Sequence, residues 1–240
     1  MTDTNEHGRP VGEVVPGWEP RPAPEAVTLT GRYVEVRPLT SAQYADLFAA
    51  TCGPDDGDLW TYREVARPTS LPSLWMHLAA LVDSPALVPF ALVPLEGGGA
   101  GRAAGIASYA RTDVAHGRVE VAGVLLGRTL QRTRAATEAI HLLVRHALDD
   151  LGYRRLEWKC DSLNEPSRQA ALRLGLVAEG RFRHHMVVQG RSRDTDWFSV
   201  TAAEWPAVRT AHEQWLDPAN FDEGGQQRTS LSELTGSLSR

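Results

Sequence analysis

Apolar and polar residues alternate at period two in T-L-T-G-R-Y-V-E-V-R-P from Thr28, which predicts a half-buried strand closed by Pro38. Val34 and Val36 fall on one side, and Tyr33, Glu35 and Arg37 on the other. Thr40 or Ser41 then caps a helix reaching about residue 50, with Tyr44, Leu47 and Phe48 on its apolar face. Residues 70–82 read as a second helix with Leu74, Leu78, Leu81 and Val82 inward. Three strands follow at 88–93, 103–112 and 118–126, the first two joined by a glycine-rich loop at 97–101. Over 135–151 the period changes. Ala136, Ala139, Ile140, Leu143, Ala147 and Leu151 recur at spacings of three and four, so one helix face is apolar, and Gly152 supplies the left-handed position after it. A strand at 155–161, a helix capped by Asn164, strands at 176–188 and 194–200 and a helix at 202–216 complete the series. This order predicts a mixed α/β sheet with one crossover at its centre.

The flanks break both periods. Prolines at 10, 16, 20, 22 and 24 exclude a helix or a central strand, so residues 1–27 read as an extended arm with Val14, Val15 and Trp18 as its docking point. Residues 217–240 are polar and rich in Ser and Gly, and are expected to be a disordered tail. The domain itself is placed at 28–216. With 25 basic against 30 acidic residues the net charge is −5, so no basic field points to nucleic acid or an anionic membrane. No apolar run approaches the roughly 20 residues of a membrane span. The start M-T-D-T-N-E-H-G-R-P has no signal-peptide core, and the protein is expected in the cytoplasm. Cys52 and Cys160 have no nearby partner in sequence and read as reduced thiols. No metal is expected.

Chemistry concentrates where the periods change. The strand at 118–126 ends in a basic, polar turn that opens into the long helix. Backbone N–H groups and the helix dipole favour an anion there. On the strand itself, Glu120 alternates with Val119 and Val121.

These fragments resemble the GCN5-related N-acetyltransferase superfamily over roughly 27–206. The superfamily signature Q/R-x-x-G-x-G/A is similar to Gln131-Arg132-Thr133-Arg134-Ala135-Ala136, with Arg134 in the place of the usual Gly. Ala136-Thr137-Glu138-Ala139, Leu151-Gly152-Tyr153-Arg154-Arg155, Asn164-Glu165-Pro166-Ser167 and Glu179-Gly180-Arg181-Phe182-Arg183 follow in the order seen in the branch that includes bacterial ribosomal-protein N-terminal acetyltransferases.

The resemblance implies the acyl-CoA N-acyltransferase fold and acetyl-CoA as cosubstrate. Gln131, Arg132, Thr133, Arg134, Ala135 and Ala136 would hold its pyrophosphate. The backbone of Val124, Leu125 and Leu126 would pair with the pantetheine amides and polarise the thioester carbonyl. Asn164 would lie near pantetheine and Ser167 near the sulfur. Many members carry a tyrosine acid four residues after this serine; here Ala171 stands there, so Ser167 or a water would take the role. Arg134 either keeps the turn, with its side chain turned outward or onto a phosphate, or distorts the loop.

The acceptor of such a transfer is a primary amine, which attacks as the neutral base. At pH 7 an α-amine of pKa about 8 loses roughly 1 kcal/mol to protonation, and a lysine roughly 4.6 kcal/mol. A base therefore matters more for lysine. Glu120 is the first choice; a strand ion pair with Arg118 is its plainer reading. His116, His184 and His185 are rivals, and Trp60, Tyr62, Trp75 and Tyr109 are candidate acceptor-side rings or core. The expected activity is acetyl transfer to a protein N-terminus or lysine by direct attack in a ternary complex, by a monomer or homodimer. A small-molecule amine acceptor is one alternative. A non-catalytic acyl-CoA-binding module is the other.

Overall fold

Residues 3–238 are described by the structure, a computed structural model. A short exposed hairpin of β1 (Asp3–Thr4) and β2 (Pro10–Val11) opens the chain. The main sheet has eight strands: β3 (Leu29–Thr30), β4 (Val34–Pro38), β5 (Leu87–Pro94), β6 (Gly105–Asp113), β7 (Arg118–Leu126), β8 (Arg155–Asp161), β9 (Val177–Val188) and β10 (Arg191–Thr201). Their order is β3-β4-β5-β6-β7-β8-β10-β9. Every pairing is antiparallel except β7 with β8, which the crossover makes parallel.

The helices divide between the two faces. On one face α3 (Arg134–Arg145), α4 (Glu165–Arg173) and α5 (Trp205–Leu216) bury Val34, Val36, Val119, Leu156 and Val200 in the larger core. On the other, α1 (Tyr44–Thr51) and α2 (Leu71–Val82) cover Ala91, Val93, Ile106 and Leu125. Of the two expected caps, Thr40 takes the position ahead of α1, forming a capping box with Gln43 through a short 3-10 turn, and Ser70 forms one with Ser73 for α2. Tyr33 departs from strand alternation. It sits in the turn before β4 and is buried, its hydroxyl donating to Leu216 O at 3.0 Å. Val82, expected inward, is 41% exposed because α2 ends there. Beyond Arg145 the central helix widens into a π turn, His146–Asp150.

Both flanks are attached. Trp18 is the arm's docking point: its Nε1 donates to Ala115 O at 2.9 Å, and Arg21 N donates to Val114 O at 2.9 Å. Val14 is exposed. The expectation of a disordered tail is corrected. Asp217 caps a 3-10 turn, and α6 (Leu231–Gly236) carries a Ser230–Glu233 capping box. Leu231 is fully buried and Leu234 and Leu238 pack on the larger core, a spacing of three and seven that gives this polar stretch an apolar stripe.

Candidate active site

The sheet opens at its centre. Parallel pairing of β7 and β8 runs through Arg118↔Arg155, Val119↔Leu156 and Glu120↔Glu157 and stops there. On the other side of β7, Ile106 pairs with Leu125 and Ser108 with Ala122, so Gly123 and Val124 oppose Ala107 alone. This is a bulge, and Gly123 takes the φ of 63° that it requires. The bulge bends β7 away from β8. Carbonyl groups of the freed strand edge face the gap: Leu126 O accepts Gln131 Nε2 at 3.0 Å, and Val124 O accepts from Arg63 at 3.3 Å. Val124, Leu125 and Leu126 all line the resulting cleft.

The gap leads to the start of α3. Thr133 is its N-cap, accepting Ala136 N–H at 3.1 Å while donating to Leu130 O at 2.7 Å. Arg134 and Ala135, the next two residues, have no carbonyl behind their N–H groups. Arg134 therefore keeps the turn, with a helical backbone as the first residue of α3. The left-handed residue is Arg132, at φ 60°. Arg134 turns its side chain between two rings, its guanidinium carbon 4.6 Å from the Tyr33 centroid and 4.8 Å from that of Phe221. One helical turn on, Glu138 accepts the N–H groups of Arg32, Tyr33 and Val34. Across the gap, Asn164 Oδ1 caps α4 by accepting Ser167 N–H at 3.2 Å. Ser167 Oγ accepts from Trp158 Nε1 at 3.0 Å, which leaves its own proton to donate. Ala171 is buried.

On the face opposite α3, charge is packed into the apex of the gap. Glu120 is buried and its plainer reading is half met, with different partners. Arg111 donates to Oε1 at 2.9 Å and Lys159 Nζ lies 2.8 Å from Oε2, while Arg118 pairs with Asp113. Lys159 Nζ also reaches Glu157 Oε2 at 2.9 Å and sits 3.6 Å from the Trp197 ring centroid. Burial pushes the Glu157 carboxyl up, but Lys159 and Arg155 outweigh it and hold it below the usual range. Phe182 and His185 gather around Trp197, with His185 Nδ1 2.9 Å from Thr195 Oγ1. A loop closes over this face: Arg63 donates to Gly123 O at 2.9 Å, and Gln189 at the β9–β10 turn donates to Arg63 O at 3.0 Å. Burial pulls the Arg63 guanidinium down from its usual value, and burial, then the charge of Arg63, lowers the His77 imidazole. Cys160 lines the cleft, but burial pushes its thiol up, so it is no thiolate nucleophile.

The cleft thus brings together Glu120, Val124–Leu126, Gln131–Ala136, Asn164 and Ser167, except that Ala135 stands just outside its lining. Of the rival groups, His185 and Tyr62 line it. His116 is an exposed partner of Asp113, and His184 is exposed. Trp60 donates to Thr51 O, Tyr109 donates to Leu143 O, and Trp75 packs on Tyr44 outside the cleft. Lys159, Glu157, Trp197 and Arg63 were not singled out in the sequence. The alternation R-L-E-W-K-C-D carried the first two, because a strand polar on one face and apolar on the other places Glu157 and Lys159 side by side.

The model of the acetyltransferase (GNAT) domain matches residues 34–177. The chain belongs to the GCN5-related N-acetyltransferase family. Two solved structures show how far the likeness extends. A GCN5-related N-acetyltransferase from Brucella melitensis is 40% identical over 92% of this chain and 100% of its own, with a TM-score of 0.89. A GNAT-family protein from Chromobacterium violaceum is 35% identical over 83% and 98%, with a TM-score of 0.75. RimJ of Mycobacterium smegmatis, solved in complex with CoA-disulfide, shares the fold at 19% identity over 75% and 87%, with a TM-score of 0.62. No curated protein sequence matches significantly. The GNAT assignment makes this acetyltransferase an enzyme and sets aside the non-catalytic binding module. Among the described residues, no helix is long and apolar enough to cross a membrane.

Proposed function

We propose that this GNAT enzyme moves acetyl from acetyl-CoA to an α-amine, that of a protein N-terminus, by direct attack. The parting of β7 and β8 just beyond Glu120↔Glu157 carries the reading. It leaves one strand edge running from a buried carboxylate to a helix N-terminus. The chain fits the donor at each point. Val124 O and Leu126 O can accept from pantetheine amides. The first-turn N–H groups of Arg134 and Ala135, with Gln131, Arg132, Thr133 and Ala136 around them, suit the pyrophosphate. Asn164 stands beside the pantetheine arm.

The amine nitrogen bonds to the thioester carbonyl carbon, the carbon–sulfur bond breaks, and the thiolate leaves. Backbone groups at the bulge polarise the carbonyl. Glu120, directly or through water, takes the amine proton, and Ser167 can donate a hydrogen bond to the leaving thiolate, whose conjugate acid has a pKa of only about 8.5 and which takes its proton from water. Two cations already hold the Glu120 carboxylate. That favours an acceptor needing little help, an α-amine rather than a lysine. The roof formed by Arg63 and Gln189 favours a slender chain end, and equally a small amine.

Competition between two peptides tests the assignment, one with a free N-terminus and no lysine, the other N-terminally blocked with one lysine. Acetylation followed by mass spectrometry should favour the first by roughly 250-fold at pH 7. Equal rates would remove the N-terminal reading, and turnover of small amines alone would replace it. Glu120→Gln should depress activity most at low pH; an unchanged pH–rate profile would take the base role from Glu120.

A further inference from the structure

Strand β10 sends Phe198 and Val200 into the core beneath α3 and turns its odd-numbered residues to the opposite face of the sheet. On that face Trp197 pairs with Lys159 and Thr195 with Asp161, and Arg193 follows, opposite Met186 of β9. Arg193, Thr195 and Trp197 all line the cleft. Trp197 marks its deep end, because the Lys159 ammonium over its ring is the one that holds Glu120. Arg193 lies four residues along the strand, roughly 13 Å at the usual rise. An extended peptide starting beside Glu120 covers that distance in about four residues, and in fewer when the arginine side chain reaches back.

The charged groups around the apex are matched within the chain. Glu120, Glu157 and Glu179 take Lys159, Arg111 and Arg155. Arg63 donates to Gly123 O and Val124 O, and Glu64 acts on it as well. Arg193 is the exception. It is half-buried, its Nε is closed off from solvent without a hydrogen-bond partner, and no carboxylate lies within ion-pair distance among the described residues. The acids beside it are spent elsewhere. Asp194 accepts His184 N–H at 2.7 Å, Asp196 is held by Arg168 and Arg181, and Asp161 accepts Leu163 N–H at 2.9 Å. A half-buried guanidinium left without an anion is costly. A ligand that brings the anion relieves that cost, and the planar fork of arginine suits a carboxylate.

We infer that Arg193 selects the acceptor: it binds a carboxylate carried within the first three residues of the chain whose α-amine is acetylated. The enzyme then prefers acidic N-termini. This rests on the N-terminal reading of the acceptor. Arg193 takes no part in the bond changes and decides which chain ends settle with their amine beside Glu120.

Lysine-free peptides that differ by Asp against Asn at position one, two or three test this, with acetylation followed by mass spectrometry. At one or more of these positions wild type should favour the Asp member by roughly tenfold in kcat/KM, mainly through KM, the effect of one charge-assisted contact. Arg193→Gln, checked for folding by thermal unfolding, should treat the two members of each pair alike, and Arg193→Glu should reverse their order. Acetylation of all the peptides without preference for Asp would overturn the inference and leave the N-terminal reading standing. So would a preference undiminished in Arg193→Gln, or a defect of that variant confined to KM for acetyl-CoA, which would assign Arg193 to the donor. Failure of every peptide to react would remove the N-terminal reading and this inference with it.

Discussion

Lys159 holds the apex of the cleft together, although its own chemistry is passive. Glu120 and Glu157 are direct neighbours across β7 and β8, both buried, and Lys159 Nζ lies within 2.9 Å of an oxygen of each. Two carboxylates so placed repel unless a cation lies between them. Arg111 and Arg155 reach their outer oxygens, but among the described residues only Lys159 bridges the two. Lys159→Met keeps most of the apolar stem of the side chain while removing the charge and its contact with the Trp197 ring. It should lower stability by about 3–5 kcal/mol at neutral pH, the cost of breaking a buried ion pair from one side. The loss also has a sign in pH. Without Lys159 the two neighbouring carboxylates repel, and binding a proton relieves that repulsion in the folded variant. Its deficit against wild type should therefore shrink as pH falls from 7 to 5 in urea unfolding. A deficit independent of pH would show that packing, not charge, is what Lys159 supplies.

Helix α3 is the element that joins the proposed donor site to the core, and it meets α5 through two histidines. His141 and His212 have ring centroids 5.4 Å apart, with Trp205 against both. Burial, then His212 and nearby arginines, push His141 down to about 3. Burial likewise takes His212 to about 4, against the bond to Leu174 O. Both stay neutral in the folded protein at pH values where the unfolded chain binds protons. Stability is therefore fully present above about pH 6.5 and is lost as pH falls toward 4, by at most about 1.4 kcal/mol per unit for each histidine. Urea unfolding across that range should show the slope, and His141→Phe should reduce it by about one proton. An unchanged slope would place the titration elsewhere. Much of this element was legible in sequence, because a period near 3.6 over 135–151 names its apolar face and Thr133, Gln131 and Ala136 name its start. The strands were legible for the same reason. Less legible was anything set by which strands part. Periodicity gives faces but not registers, so Glu120 could be placed on a strand and not beside Lys159 and Glu157. Stacking of Arg134 on Phe221 joins residues 87 positions apart, the difference of their numbers, and no local pattern carries such a contact. The C-terminal helix was hidden by composition, since its Ser, Gly and Gln outweighed a Ser230–Glu233 capping box and three spaced leucines.

At the scale of the whole molecule, the two flanks wrap the domain and reach opposite parts of one cleft. Phe221 and Gln227 of the C-terminal flank line the cleft with the first turn of α3, whereas Ala23 and Pro24 of the N-terminal arm line it near Val114 and Ala115. Trp18 fixes the arm. It donates to Ala115 O, carries Arg21 at 4.6 Å and Arg154 at 5.3 Å over its ring, and fills the space a side chain at Gly117 would need. Tyr153, just past α3, adds a bond to Pro22 O at 3.0 Å. The arm is thus anchored at the β6–β7 turn, away from the α3 N-terminus proposed to hold the donor. Releasing it should act on the acceptor and spare the donor. Trp18→Ala removes the anchor and leaves every residue assigned to the donor in place. We expect KM for the acceptor amine to rise several-fold, KM for acetyl-CoA to stay within about twofold, and stability to fall by about 1–3 kcal/mol from lost apolar burial. Steady-state kinetics with each substrate varied in turn, beside thermal unfolding, separates the cases. Equal rises in both KM values would mean that the arm supports the fold as a whole. A rise confined to the acceptor would make residues 18–24 a wall of the acceptor site, the counterpart of the C-terminal flank beside the donor.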